Sequence, residues 1–130
     1  MKKIFIKLSI ILNIILICFI AIKTNQNIKP LNGTYVSSIK TKAFYSISFD
    51  REKHLYVFYK NGELIEVNSF NETNRKNIYT IEGNNLNKYL TLENDSFYFQ
   101  ISEGNFVKFD WDSNGMTFLG EVPKEYKDEN

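Results

Sequence analysis

The sequence predicts an all-β domain of about eight short antiparallel strands behind one N-terminal hydrophobic helix, and three observations lead there. Residues 8–22 form a charge-free apolar run bracketed by lysines. From residue 31 onward, apolar and polar residues alternate in short runs, with no helical period. Those runs are separated by clusters of Asn, Asp and Gly, the residues that tight hairpin turns need.

Lys2, Lys3 and Lys7 precede the apolar run, which only Ser9 and Asn13 interrupt. Fifteen helical residues reach roughly 22 Å, short of the ~30 Å hydrocarbon core, and residues 4–6 add a turn if the flanking lysines snorkel. The reading is a membrane contact through residues 4–22. Ala21-Ile22-Lys23 puts a lysine where signal cleavage needs a small residue, which favours an uncleaved, single-pass anchor over secretion after cleavage. The basic start keeps the N-terminus on the cytoplasmic side, so the domain is expected to face outside. Ile17 precedes Cys18, which argues against a lipid-modified cysteine.

Residues 1–29 hold five lysines and no acid, and they form the anchor or signal segment with its linker. Residues 30–122 form the β-barrel-like domain, and 123–130 a charged tail expected to be mobile. Within 130 residues one core is all the chain can build. Residues 30–130 carry eleven Lys and Arg against fifteen Asp and Glu, a net −4. Without a basic stripe, nucleic acid is excluded as a partner. The only cysteine lies in the apolar run, so no disulfide framework or thiolate metal cluster can form within one chain.

The strand runs follow in order. The first two are residues 33–38 and 43–49, the second with Tyr45, Ile47 and Phe49 on one face, and residues 50–53 make the turn into 55–59. Asn61-Gly62 then supplies the left-handed pair of a two-residue hairpin before 64–67. Residues 69–76 are polar enough to be the longest loop. Next come 78–81 and 86–92, around Gly83-Asn84-Asn85, with Leu86, Leu90 and Leu92 on one face. Residues 97–101 align Phe97, Phe99 and Ile101, while 106–111 align Val107, Phe109 and Trp111. A short final run, 116–119, precedes Pro123. Short turns between consecutive strands favour an up-and-down meander, and closing it into a small barrel removes exposed edges. A two-layer sandwich of the same strands is the alternative.

Leu31-Asn32-Gly33-Thr34-Tyr35 resembles the Leu-x-Gly-x-aromatic opening of lipocalin-like barrels, with Tyr35 where those barrels usually carry Trp. The resemblance implies a ligand-holding barrel. The Lys, Asn and Ile richness and the short anchor also resemble small exported β-domains of low-GC Gram-positive bacteria.

No catalytic, metal or cofactor site is expected, and no ligand-binding residue is assigned. His54, the sole histidine, falls at the 50–53 turn and reads as a surface residue. The carboxylate pairs Glu63/Glu66 and Asp110/Asp112 read as solvent-face charges rather than acid–base machinery, so the domain is expected not to be an enzyme. Tyr56, Phe58 and Tyr98 are the aromatics whose exposure would matter for binding. Asp110-Trp111-Asp112-Ser113-Asn114-Gly115, followed by Glu121, matches a calcium-loop pattern. Flanking helices are missing, however, so 112–115 reads instead as the turn of a final hairpin. What remains is a non-enzymatic, membrane-tethered module engaging either a small apolar ligand or a protein partner. The alternative is an inhibitor or immunity-type protein acting on an exported enzyme.

Overall fold

Turn chemistry sets the strand order. Asn61 and Gly62 adopt φ of 51° and 82°, and Asn94 and Asp95 adopt 48° and 61°; these are the two left-handed pairs that let strands reverse within two residues. Around them the computed structural model describes residues 2–24, 29–38 and 42–129, with side chains placed for 6–19, 29–38 and 42–127. Residues 25–28 of the linker, the side chains of Ile4, Phe5 and residues 20–22 of the expected membrane segment, and Asn130 of the tail lie outside the described residues.

Helix α1 spans Lys2–Thr24. The strands are β1 (Gly33–Ser37), β2 (Tyr45–Asp50), β3 (Leu55–Lys60), β4 (Glu63–Glu72), β5 (Ile78–Ile81), β6 (Tyr89–Thr91), β7 (Ser96–Ser102) and β8 (Asn105–Ser113), followed by a 3-10 helix, Lys124–Glu129. All eight lie in one antiparallel, nearly closed, barrel-like sheet of order β6-β5-β4-β3-β2-β1-β8-β7. The meander is therefore not strictly up-and-down. The first and last strands pair, while the consecutive strands β6 and β7 end the sheet on its two sides and share only the Glu93↔Ser96 bridge at their turn.

Gly33 shows why the Leu31-to-Tyr35 opening needs its glycine. Its φ is +82°, and a Cβ there would sit 2.2 Å from the Ser113 carbonyl oxygen, where the β1–β8 register shifts by a bulge.

Three strand expectations change. Residues 69–76 are not the longest loop, because β4 runs on to Glu72; its outward Ser69 and Asn71 are polar because they bind Glu82. The run 86–92 shortens to Tyr89–Thr91, and Leu86 is exposed while Leu90 and Leu92 are buried. Residues 116–119 form no strand. Instead the chain after β8 lies back across the outer face of β1, β2 and β3: Thr34 Oγ1 donates to the Gly115 carbonyl (2.7 Å), Thr117 N–H donates to Ser48 Oγ (3.3 Å), and the Tyr59 hydroxyl donates to the Glu121 carbonyl (2.8 Å). The charged tail continues this path, with the Tyr126 ring against Phe118 and its hydroxyl donating to Asp50.

That covering segment buries both faces of β2 and β3. Tyr56 and Phe58 point inward with Phe49 and Ile47, to which the register pairs them, while Val57 and Tyr59 are buried on the outside.

Candidate functional site

The barrel interior is filled by rings. Phe49 meets Tyr35, Phe70 and Phe97 edge-on at 5.8, 5.2 and 5.7 Å between centroids, Phe97 stacks on Phe109 at 5.4 Å, and Phe58 packs on Phe99 at 5.7 Å. Edge-on and offset ring pairs are the favourable aromatic geometries, so alternating inward aromatics on six strands interlock rather than leave space. Burial, with some help from the charge of Asp95, pushes the Tyr35 hydroxyl up to about 12. Tyr56 rises also, first by burial and then by its bond to Glu66, and burial raises Tyr59 and Tyr79.

Where β6 and β7 part, side chains replace the ladder. Asn87 Nδ2 donates to the Gln100 carbonyl (2.8 Å) and Asn87 Oδ1 accepts the Gln100 N–H (2.8 Å), so one amide satisfies both backbone groups a neighbouring strand would have taken. Asn84 orients that clasp, accepting the Asn87 N–H at 2.7 Å while donating to Glu66 at 2.7 Å. Glu66 in turn accepts the Tyr56 hydroxyl (2.7 Å). A single hydrogen-bonded chain thus runs from the core to the seam.

Outside this seam stand three exposed aromatics: Tyr89 on β6, Tyr98 on β7 and Phe106 on β8, 68, 66 and 60% exposed. The register Tyr98↔Lys108 and Gln100↔Phe106 makes Tyr98 and Phe106 diagonal neighbours on one outer face. Leu86, also exposed, adjoins the clasp at Asn87.

The end of the barrel where the chain enters carries two clefts that share Pro30 and Arg51. One, of about 580 Å³, is lined by Asn32, Asp50, Glu52 and Asn114 among others; the second, of about 290 Å³, by Glu72, Thr73, Arg75, Lys76 and Tyr79. Arg51 Nε donates to Glu72 Oε1 at 2.8 Å across this end.

The residues singled out by sequence are scattered. His54 is exposed at the end of the β2–β3 turn with φ 55°, its ring 6.2 Å from Phe70. Glu63 is exposed, and Glu66 belongs to the seam chain. Asp110 takes Lys108 Nζ (2.6 Å), a bond that raises the Lys108 ammonium, and Glu121 takes Lys127 (3.3 Å). Asp110 and Asp112 lie within β8, so the 112–115 stretch is not a hairpin turn, and among the described residues no three His, Cys, Asp or Glu side chains gather as a metal site. Of the three aromatics watched for exposure, only Tyr98 is exposed; Tyr56 and Phe58 are buried. Sequence reading missed Tyr89, Phe106, Asn87 and the Arg51–Arg75–Lys76 grouping. The order of turns was the available signal for the last, because alternate turns of a meander fall at the same end.

Along α1 the large apolar side chains from Ile6 to Phe19 are 54–69% exposed on every side. Among the described residues no helix is long and apolar enough to cross a membrane.

Comparison of the chain with family models, with curated proteins and with solved structures finds no match in any of the three.

Proposed function

We propose that the chain is a membrane-anchored, non-enzymatic binding module that engages a protein partner through the outer face around the β6–β7 seam. The observation that carries this reading is the contrast between a filled interior and an exposed aromatic surface. An interior of interlocked rings speaks against the ligand-holding barrel that the lipocalin resemblance implies. Tyr89, Tyr98 and Phe106 instead offer large, rigid contact area to solvent, and such aromatics dominate protein interfaces. The anchor rests on α1, whose apolar side chains have no protein over them; a helix apolar on all sides is stable only inside an apolar phase. With Lys2, Lys3 and Lys7 held on the cytoplasmic side, the barrel faces outside.

A photo-cross-linking residue placed at 89, 98 or 106 of the full chain, in the membranes of cells that make it, is expected to trap one discrete protein adduct. The same residue at Lys60, the last residue of β3, traps none. Equal labelling at all four positions, or adducts with lipid alone, would refute the proposal.

A further inference from the structure

The chain enters the barrel tied to one particular loop. The buried Tyr79 hydroxyl accepts the Leu31 N–H (2.9 Å) and donates to the Lys76 carbonyl (3.3 Å), fixing the first residues after the linker against the β4–β5 connection. Thr73 holds the rest of that loop, its Oγ1 donating to the Ile78 carbonyl (2.7 Å) and accepting the Arg75 N–H (3.2 Å). Arg75 and Lys76 are thereby presented, both exposed, at the rim of the 290 Å³ cleft that Pro30 and Arg51 complete.

Three of the acids at this end are already engaged. Glu72 takes Arg51, Asp95 takes Lys29 (3.8 Å), and Asp50 accepts the Glu52 and Lys53 amides and the Tyr126 hydroxyl. Among the described residues neither the Arg75 nor the Lys76 side chain has a carboxylate partner. Two uncompensated cations thus stand beside the entry point of a domain whose net charge is −4.

Chain length decides what they meet. From Thr24, the last residue of α1, to Lys29 there are five Cα steps, at most about 18 Å fully extended. With α1 in the apolar phase, as proposed above and on which this step rests, Lys29 stays within that distance of the headgroup layer, and the loop that Tyr79 ties to Leu31 lies two residues further along the chain. We infer that the Arg51–Arg75–Lys76 cleft is a lipid-headgroup site that takes the phosphate of an anionic lipid. Seating it there turns the tether end of the barrel toward the bilayer.

The test uses the full chain in nanodiscs of phosphatidylcholine alone or mixed with phosphatidylglycerol, reading quenching of Trp111 by a headgroup-attached spin label. Trp111 is the only tryptophan and lies at the tether end, under Lys29 Nζ at 4.8 Å. Quenching is expected to be stronger with phosphatidylglycerol. Arg75→Glu with Lys76→Glu returns it to the phosphatidylcholine level, a change of about thirtyfold or more in the ratio of seated to unseated barrel for two lost cations. Arg75→Gln with Lys76→Gln must show the same loss, which separates lost attraction from new repulsion. Lys60→Glu with Lys88→Glu makes the same charge change at the opposite end and leaves quenching unaltered. Equal quenching in both lipids, or an unchanged response in the Arg75/Lys76 variants, overturns the headgroup site. Failure of the chain to co-elute with discs of either composition overturns the anchor itself, and this inference with it.

Discussion

The two walls of the barrel are secured in opposite ways. The wall of β1, β2 and β3 is paired strand to strand without interruption and sealed on its outer face by the segment after β8, so that Ser46, Ser48, Val57 and Tyr59 are buried on a side where a barrel normally meets water. The wall of β5, β6 and β7 has a three-residue strand at its centre and no backbone ladder between β6 and β7 beyond their turn, and it relies on one asparagine side chain for closure. Redundant contacts make the first wall a scaffold. The second keeps its outer face free and carries the exposed Tyr89 and Tyr98, with Phe106 beside them on β8, as regions of low local stability commonly do at binding surfaces.

Three measurements test that contrast. The largest effect is expected from Phe49→Ala, which empties the centre of the first wall and removes contacts to Tyr35, Tyr56, Phe70 and Phe97 at once. Chemical denaturation should show a loss of about 3–5 kcal/mol, as for other buried phenylalanines. A loss below about 1 kcal/mol would mean the rings are not the core.

Asn87→Ala comes next, at about 1–3 kcal/mol, because the Gln100 N–H and carbonyl lose their partner while Asn87 itself is buried. Its signature is spatial: amide hydrogen exchange should speed up at Tyr98 and Gln100 and stay unchanged in β2 and β3. Uniform acceleration would show that the two walls unfold as one unit.

The smallest effect comes from the buried tyrosines and shows only as pH rises past about 10. Tyr35, Tyr56, Tyr59 and Tyr79 have folded-state values raised above the ordinary 10, so the folded chain holds these protons more tightly than the unfolded one. That contribution is fully present below pH 10 and is lost as pH climbs through the raised values, near 12 for Tyr35. The melting temperature should therefore hold level up to about pH 10 and then fall, with late-ionising tyrosines visible by tyrosinate absorbance. All eight tyrosines titrating together near 10 would contradict this.

What was legible in the sequence was local. Asn61-Gly62 encodes its hairpin in two residues, and the alternation at Tyr45, Ile47 and Phe49 or Phe97 and Phe99 marks an inward face because one side of those strands faces the core. Period-two reasoning fails where both sides are covered. Tyr56 and Val57 are adjacent and both fully buried, and Ser48, the register partner of Val57, is bonded by Thr117, in a stretch far along the chain that itself reads as a strand. The same non-locality hid the candidate sites. Arg51 and Arg75 sit in separate turns that only the meander brings to one end, and Asn87 looks like any loop asparagine until Gln100 is seen opposite it.

The pairing of β1 with β8 also sets a schedule. During synthesis the first strand emerges early and the strand that covers its free edge emerges last, so Gly33–Ser37 has β2 on one side and an open edge on the other for nearly the whole of translation. Contacts between the two ends of a chain are slow to form because the intervening loop must close first. With α1 made before any strand, an anchored chain would spend that interval beside the membrane, its late strands returning to an edge held in place from the start.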